Sequence, residues 1–308
     1  MRKVVILLCF LVFFSSMANS QQIALYSMYF DNQYVINPAY AGAERDVIPM
    51  RLSVHKQWIG IDKSPSTQVF SIHQRLPNKI MGLGGMIFHD SFGPIRQIGT
   101  QVTYSYHLQA TRQIHISFGV STELMGYMVS LQQEDFQSYE PILTRNRSSV
   151  FVPDATIGIY AYAPKWWASF STAHIIQTGL KVTSTWDQRG RANQMVRHYF
   201  TGAGYKFEFT TINNLEIEPS AFLKFTEITP LQVDLNLKFI WNDEIWMGTS
   251  IRPKDSFVLM FGLNYKEYYF AISHNFTFSD LSVHTIGSEE LVFGWNIGKK
   301  YKKSKNFF

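Results

Sequence analysis

The sequence holds one cysteine, Cys9, and it lies inside an apolar stretch near the start of the chain. Once that stretch is cleaved on export no thiol remains, which excludes disulfides, thiolate zinc sites and cysteine nucleophiles. A lipoprotein role for Cys9 is disfavoured, because Leu8 precedes it where a small residue is needed and it sits early in the apolar run. No segment beyond residue 20 offers the roughly eighteen unbroken apolar residues of a membrane-spanning helix. Transmembrane helices are therefore not expected. The nine histidines are scattered, without an H-E-x-x-H pattern or a close His/Asp cluster, and there is no G-x-S-x-G elbow. The formal charge of +5 does not describe a basic folded face. Arg2 and Lys3 stand at the extreme start, and Lys299, Lys300, Lys302, Lys303 and Lys305 crowd the last ten residues; +5 less these seven cations leaves the body near −2. A nucleic-acid surface would need its basic groups spread over the fold.

What the chain does have begins with a leader. Residues 1–20 run from a basic start at Arg2 and Lys3, through an apolar stretch from Val4 to Phe14, to the small residues Ala18, Asn19 and Ser20. This is the pattern of a secretory signal peptide with an A-x-S cleavage site, so the mature chain is expected to begin at Gln21. Export without a helical span leaves the periplasm, the outer membrane or the medium.

From about residue 50 onward, stretches of roughly ten residues alternate apolar and polar side chains. Leu231, Val233, Leu235, Leu237 and Phe239 interleave with Gln232, Asp234, Asn236 and Lys238. Val102, Tyr104, Tyr106 and Leu108 interleave with Gln101, Thr103, Ser105 and His107. Leu215, Ile217, Leu223 and Phe225 stand against Glu216, Glu218, Ser220 and Lys224, and Phe257, Leu259, Phe261, Leu263 and Tyr265 against Gly262 and Asn264. A strand turns successive side chains to opposite faces, so one face is apolar and the other polar. A soluble β-sandwich also alternates, but its strands run nearer five or six residues and its apolar face is the core. Here the repeats are longer and the polar face carries Glu216, Glu218, Asp234 and Lys238, as a hydrated lumen allows. Outward aromatics are expected near strand ends at Trp58, Trp166, Trp167, Trp241, Trp246, Tyr268 and Tyr269, where interfacial girdles lie.

The connectors give an independent criterion, because outer-membrane barrels have tight periplasmic turns and longer outer loops. With a first strand near Met50 to Trp58, short connectors fall at Pro77–Lys79, Gln109–Gln113, Ala163–Pro164, Thr210–Asn214, Asn242–Asp243 and Lys266–Glu267. Longer ones fall at His89–Gln97, Gln132–Val152, Ile176–Met195 and Asn275–Ser288. The expected fold is an all-β, transmembrane antiparallel barrel of about fourteen strands, with a short N-terminal periplasmic or plug segment. Its organisation is a signal peptide at 1–20, an N-terminal segment at 21–49, the barrel at 50–297 and a basic periplasmic tail at 298–308.

The N-terminal segment contains Tyr26, Ser27 and Tyr29, then Asn37, Pro38, Ala39, Tyr40, Ala41 and Gly42. Asn-Pro starts a turn and glycine permits a sharp exit, so a compact knot is expected there, with aromatics in need of a dry place. This NPAYAG string is followed by Arg51, Gln57-Trp58-x-Gly60, Pro65-x-Thr67, Gly82-x-Gly84, Asp90-x-x-Gly93, Tyr104-x-Tyr106-His107 and Gly287-Ser288-x-Glu290-Leu291. In that order, over nearly the whole mature chain, these pieces resemble the PorP/SprF family of type IX secretion outer-membrane proteins. Glu289 departs from the family's Gly-Ser-His-Glu pattern, so no role of that histidine carries over. The resemblance implies a non-enzymatic outer-membrane barrel without a cofactor, working with the type IX export and gliding machinery as an anchor or assembly partner. Its implied partners are the periplasmic ring protein and its lipoprotein, secreted cargo with a type IX C-terminal domain, and outer-membrane lipid. The other reading of such a barrel is a channel for small or hydrophobic solutes.

Catalytic patterns are weak. His115, Ser117 and Gly119 share the polar face of one strand, but residues two apart lie nearly 7 Å from each other at a rise of about 3.3 Å per residue, and no third group orients the pair. Small polar side chains facing the lumen explain them better. His89 beside Asp90 is read as shaping a loop rather than holding a metal, and Gly82, Gly84 and Gly85 as close packing rather than a phosphate loop. The candidate partner-binding residues are Asn37, Pro38, Tyr40 and Gly42 of the knot, Trp186, Asp187, Arg189 and Arg191 of a long loop, and Lys299, Lys300, Lys302 and Lys303 of the tail. A solvated loop and a solvated tail are the alternatives for the last two groups.

Overall fold

The computed structural model describes residues 26–77, 80–129, 148–180, 193–209, 214–227, 229–253 and 255–298. The strands are β1 (Ile48–Lys56), β2 (Ser66–Arg75), β3 (Met81–Phe92), β4 (Ile95–Gln109), β5 (His115–Val129) and β6 (Ser148–Ala163). They continue with β7 (Trp166–Ala173), β8 (Gly179–Leu180), β9 (Asn193–Gln194), β10 (His198–Tyr205), β11 (Phe207–Phe209) and β12 (Leu215–Thr226). The last are β13 (Gln232–Trp241), β14 (Ile245–Arg252), β15 (Ser256–Tyr265), β16 (Tyr268–Thr277) and β17 (Ser288–Ile297). The small β8–β9 ladder stands apart from the main sheet.

All remaining segments join one antiparallel sheet that closes on itself where β1 pairs β17, from Ile48 opposite Ile297 to Lys56 opposite Glu289. β10 and β11 are one barrel strand, in the same register against β12 on both sides of a break at Lys206. The break lies across from Glu218 and Pro219, the latter without an N–H to give the ladder, and the Lys206 N–H donates to the Lys165 carbonyl. So counted, the described residues form a closed barrel of 14 strands. Closure satisfies the backbone of every spanning strand and removes sheet edges, which is what strands at membrane depth require. Among the described residues no helix is long and apolar enough to cross a membrane.

The faces follow the alternation. Val102, Tyr104, Tyr106 and Leu108 point outward and are exposed, while Gln101, Thr103, Ser105 and His107 are buried in the interior. Leu235, Leu259, Phe261, Phe270 and Leu291 continue the apolar exterior around the wall. Apolar area of this extent is compatible with lipid and not with water. At the rim with short turns, Tyr106, Trp166, Tyr205, Trp241, Tyr265, Tyr268 and Trp295 face outward as an aromatic belt.

Several aromatics differ from expectation. Trp246 and Tyr269 are buried inside, and Trp167 also turns inward, donating its indole N–H to Glu218 at 2.8 Å. Neighbours on a strand cannot share a face, so only one member of Trp166–Trp167 and of Tyr268–Tyr269 can meet lipid. Trp246 fits inside because Gly262 stands opposite it, where a side chain would collide with the indole. Trp58 lies in a connector with a positive φ of 49°. The strand it was assigned to ends earlier, at Lys56.

The short connectors all lie on one rim, and three carry a positive φ, at Asn214, at Asn242 and Asp243, and at Lys266. The opposite rim carries the longer ones, with exceptions, among them the tight turn between Arg252 and Ser256. The loop expected over His89–Gln97 is a turn at Gly93 and Pro94, since pairing runs to Phe92 opposite Ile95. Asp90 there faces inward and accepts the Thr67 hydroxyl at 2.6 Å, so the polar residues that suggested a loop belong to the ladder.

The exterior assignment is testable by charge. Phe261→Arg, in the middle of β15, should cost about 2–4 kcal/mol of folding free energy in lipid, whereas Glu244→Lys on a short turn should stay within about 0.5 kcal/mol. Urea titration of the barrel refolded into vesicles measures both.

Candidate functional site

The interior holds a plug. After Tyr26 the chain runs inside the barrel as far as the start of β1, with regular structure limited to two single 3-10 turns at Gln33–Val35 and Pro38–Tyr40. A segment with so few internal hydrogen bonds must find partners for its backbone elsewhere. The wall provides them. Ser171 donates to the Ile36 carbonyl at 2.6 Å, Ser117 to Ala39 at 2.7 Å, and Ser105 with His107 Nε2 to Ala41 at 2.6 and 2.8 Å. Arg75 Nε donates to the Gly42 carbonyl at 2.5 Å, and the Gly42 N–H donates to His73 Nδ1 at 3.2 Å.

Asn37 organises the middle. Its Oδ1 accepts the Ala39 N–H at 2.9 Å and caps the second turn, where Pro38 sits at the position that needs no donor. Its Nδ2 reaches Ser169 Oγ at 2.8 Å and the Ile159 carbonyl at 3.0 Å. Glycines in the wall make this approach possible: a Cβ on Gly82 would overlap the Ala41 carbonyl, on Gly119 the Ala39 backbone and on Gly158 the Asn37 side chain. On Gly84 it would lie 2.6 Å from the Tyr34 hydroxyl, which itself donates to Thr103 at 2.9 Å.

The first described part of the plug is held by charge. Glu290 Oε2 accepts the Ser27 and Met28 N–H groups at 2.7 and 3.1 Å, and Asp31 accepts Lys238 at 2.8 Å and the Tyr269 hydroxyl. The Lys238 ammonium also lies 4.1 Å from the Trp246 ring centre. Around this point the inner wall is apolar: Met28 packs with Trp246, Val258, Met260, Tyr269, Ala271 and Val292. The expected hydrated lumen is thus filled by the chain itself.

Between the plug and the rim with longer loops lies a cavity of about 140 Å³. Met86, Phe88, Met125, Phe200 and Phe222 give it an apolar lining, and Asp90, Glu123, His174 and Lys224 add polar groups.

Of the residues singled out from sequence, Asn37 and Pro38 are fully buried in the plug, Tyr40 packs edge-on against His73 and Tyr160, and Gly42 is bound as described. Their contacts are with the barrel's own wall. Trp186, Asp187, Arg189, Arg191, Lys299, Lys300, Lys302 and Lys303 lie outside the described residues. Ser117 and His115 share a face, yet the Ser117 hydroxyl is turned to plug and wall carbonyls and His115 to Arg45 and the Tyr162 ring. Sequence reasoning missed Glu290, Asp31 and the serines Ser105, Ser117 and Ser171 as plug anchors. The one available signal was that Glu290 and Ser105 fall within the motif pieces quoted above.

The model of a family described as type IX secretion system membrane protein PorP/SprF matches residues 18–295. No curated protein matches the chain. Among solved structures, the CymD monoaromatic hydrocarbon channel superposes with a TM-score of 0.51 at 10% identity, over 86% of this chain and 91% of that one. A FadL homologue from Pseudomonas aeruginosa gives 0.49 at 10% identity, over 84% and 91%. The KdgM porin gives 0.38 at 12% identity, over 80% and 98%. At such identities the likeness concerns the fold.

Filling the cradle should loosen the plug. Gly158→Ala should cost about 1–3 kcal/mol by overpacking and expose residues 26–47 to protease, while Gly85→Ala, whose nearest contact is 3.9 Å away, should change neither. Asn37→Ala, which removes the cap and the wall bonds together, should behave like Gly158→Ala. Limited proteolysis with mass spectrometry, beside a thermal unfolding curve, reads both effects.

Proposed function

The chain belongs to the PorP/SprF family of type IX secretion system membrane proteins, and we propose that it acts in the outer membrane as a plugged barrel that anchors or helps assemble exported cell-surface proteins. The single observation that carries this reading is the plug bound along the lumen, from Glu290 at Ser27 to Arg75 at Gly42. A diffusive pore needs an open water path, and here the interior is packed with the chain itself. The role is mechanical rather than enzymatic: the barrel fixes position, the loops and upper lumen meet the exported protein, and the short-turn rim faces the periplasmic ring protein and its lipoprotein. The end of β17 and the foot of the plug come together at that rim, where Gly298 approaches the Asp46 carbonyl. A basic tail leaving from there is suited to anionic lipid or to an acidic periplasmic partner.

The second reading, a channel for small or hydrophobic solutes, draws on the cavity above the plug. Two measurements separate them. Deleting the gene should abolish secretion or surface attachment of proteins with a type IX C-terminal domain; unchanged secretion and attachment would falsify the anchoring role. In planar bilayers the purified protein should pass little current, and steady large conductance would favour the channel.

A further inference from the structure

The cavity above the plug carries a charge imbalance that the anchoring reading does not use. Of its lining carboxylates, Asp234 is gripped by Arg252 through two hydrogen bonds, at 2.7 and 2.9 Å. Glu123 has no such partner. It is 7% exposed, lines the cavity, and makes no hydrogen bond or ion pair among the described residues. The strand register sets Glu123 opposite Asp154, a second carboxylate, and of the two imidazoles on the cavity wall, His174 and His198, the former has its Nδ1 3.4 Å from Asp154 Oδ2. One histidine thus serves two acids. Asp90, further along the wall, has the Thr67 hydroxyl as its partner and no cation among the described residues. The Tyr26 side chain lines the same cavity as Asp90 and Glu123.

Among the described residues of the lining Lys224 is the one ammonium, against the three carboxylates Asp90, Glu123 and Asp234. A carboxylate left this far from water without an ion-pair partner of its own is costly unless a cation joins it or it takes up a proton. The space beside it is apolar and of limited size: about 140 Å³, close to the engineered cavity of about 150 Å³ that accommodates benzene. Phe88 and Tyr127 line the same space, and aromatic rings attract a positive group. We propose that this cavity binds an organic cation, an ammonium or guanidinium carried on an apolar body of about one ring, with Glu123 as its counter-charge. The same chemistry is presented by a free aromatic amidine and by an arginine beside an aromatic residue in a polypeptide. The site follows from the barrel interior alone and does not depend on the secretion reading.

Calorimetric titration of the detergent-solubilised full-length protein with benzamidine, and with neutral benzamide of the same shape, tests it. Saturable benzamidine binding at least tenfold tighter than benzamide is expected. Glu123→Gln should weaken benzamidine at least tenfold without affecting benzamide, and Met125→Trp, which fills the cavity, should abolish binding of both. Two independent variants keep the test decisive should one fail to fold. A Phe-Arg peptide amide that competes with benzamidine identifies a polypeptide side chain as the ligand source, and failure to compete identifies a free small cation; both outcomes support the cation site. Equal affinity for the charged and neutral probes, no saturable binding, or a Glu123→Gln variant that binds benzamidine as well as the parent overturns it.

Discussion

Hydrogen bonds from wall side chains to the plug's backbone are the interaction on which the rest of this structure depends. Irregular chain at membrane depth is tolerated only where protein satisfies it, because lipid offers neither donors nor acceptors. Between Ile36 and Gly42 the plug turns several carbonyls outward, and each meets a donor from Ser171, Ser117, Ser105, His107 or Arg75. Such bonds are worth only about 1 kcal/mol each, but an unmet buried carbonyl costs more than that. The glycines Gly82, Gly84, Gly119 and Gly158 are the geometric counterpart. A hydroxyl on a short serine can reach a plug carbonyl only if the backbones come close, and they come close only where no Cβ intervenes.

This explains why the motif pieces fall where they do. Asn37 and Pro38 cap the turn; Gly82 and Gly84 clear room for Ala41 and Tyr34; Ser105 and His107 bind Ala41; Glu290 holds Ser27. Others fasten the rim. Ser288 accepts the Trp58 N–H at 3.1 Å, and Ile59 exchanges backbone hydrogen bonds with Gly287 and Ile286, so the first outer connector is tied to the last beside the β1–β17 seam. Residues scattered over the sequence thus serve one task, which is to close the barrel around its own N-terminal segment.

The barrel was legible because period-two alternation is a local signal repeated in each strand, and the short connectors at Asn242–Asp243 and Lys266–Glu267 mark their own turns. The lumen was not legible to the same degree. On β15, Val258 and Met260 face inward while Leu259 and Phe261 face outward, so the strand is apolar on both sides and alternation is lost where the wall meets Met28 and Trp246. Trp246 was assigned to the exterior by type, whereas its position is decided by Gly262 on the next strand. That Ser117 meets Ala39 depends on a contact between residues far apart in sequence, which composition and spacing do not reveal. The polar interior was anticipated, but as a hydrated lumen: instead, wall side chains such as Ser105, Ser117 and Ser171 bind peptide groups of the plug.

The same contacts bear on whether the plug can act as a gate. Full ejection would leave Lys238 without Asp31 and Glu290 without its two amide donors, and would uncover Trp246, Val258, Met260 and Val292 to whatever fills the lumen. At about 25 cal/mol per Å² of apolar surface, returning those side chains to water is expensive before any lost hydrogen bond is counted. The upper end differs in kind. Tyr26 borders a cavity, and beyond Asp31 the bonding to the wall becomes progressively denser toward Gly42. The Asn37–Gly42 turn is therefore the more densely held end of the plug, and the segment beside Tyr26, fixed by the two Glu290 bonds, the less densely held one.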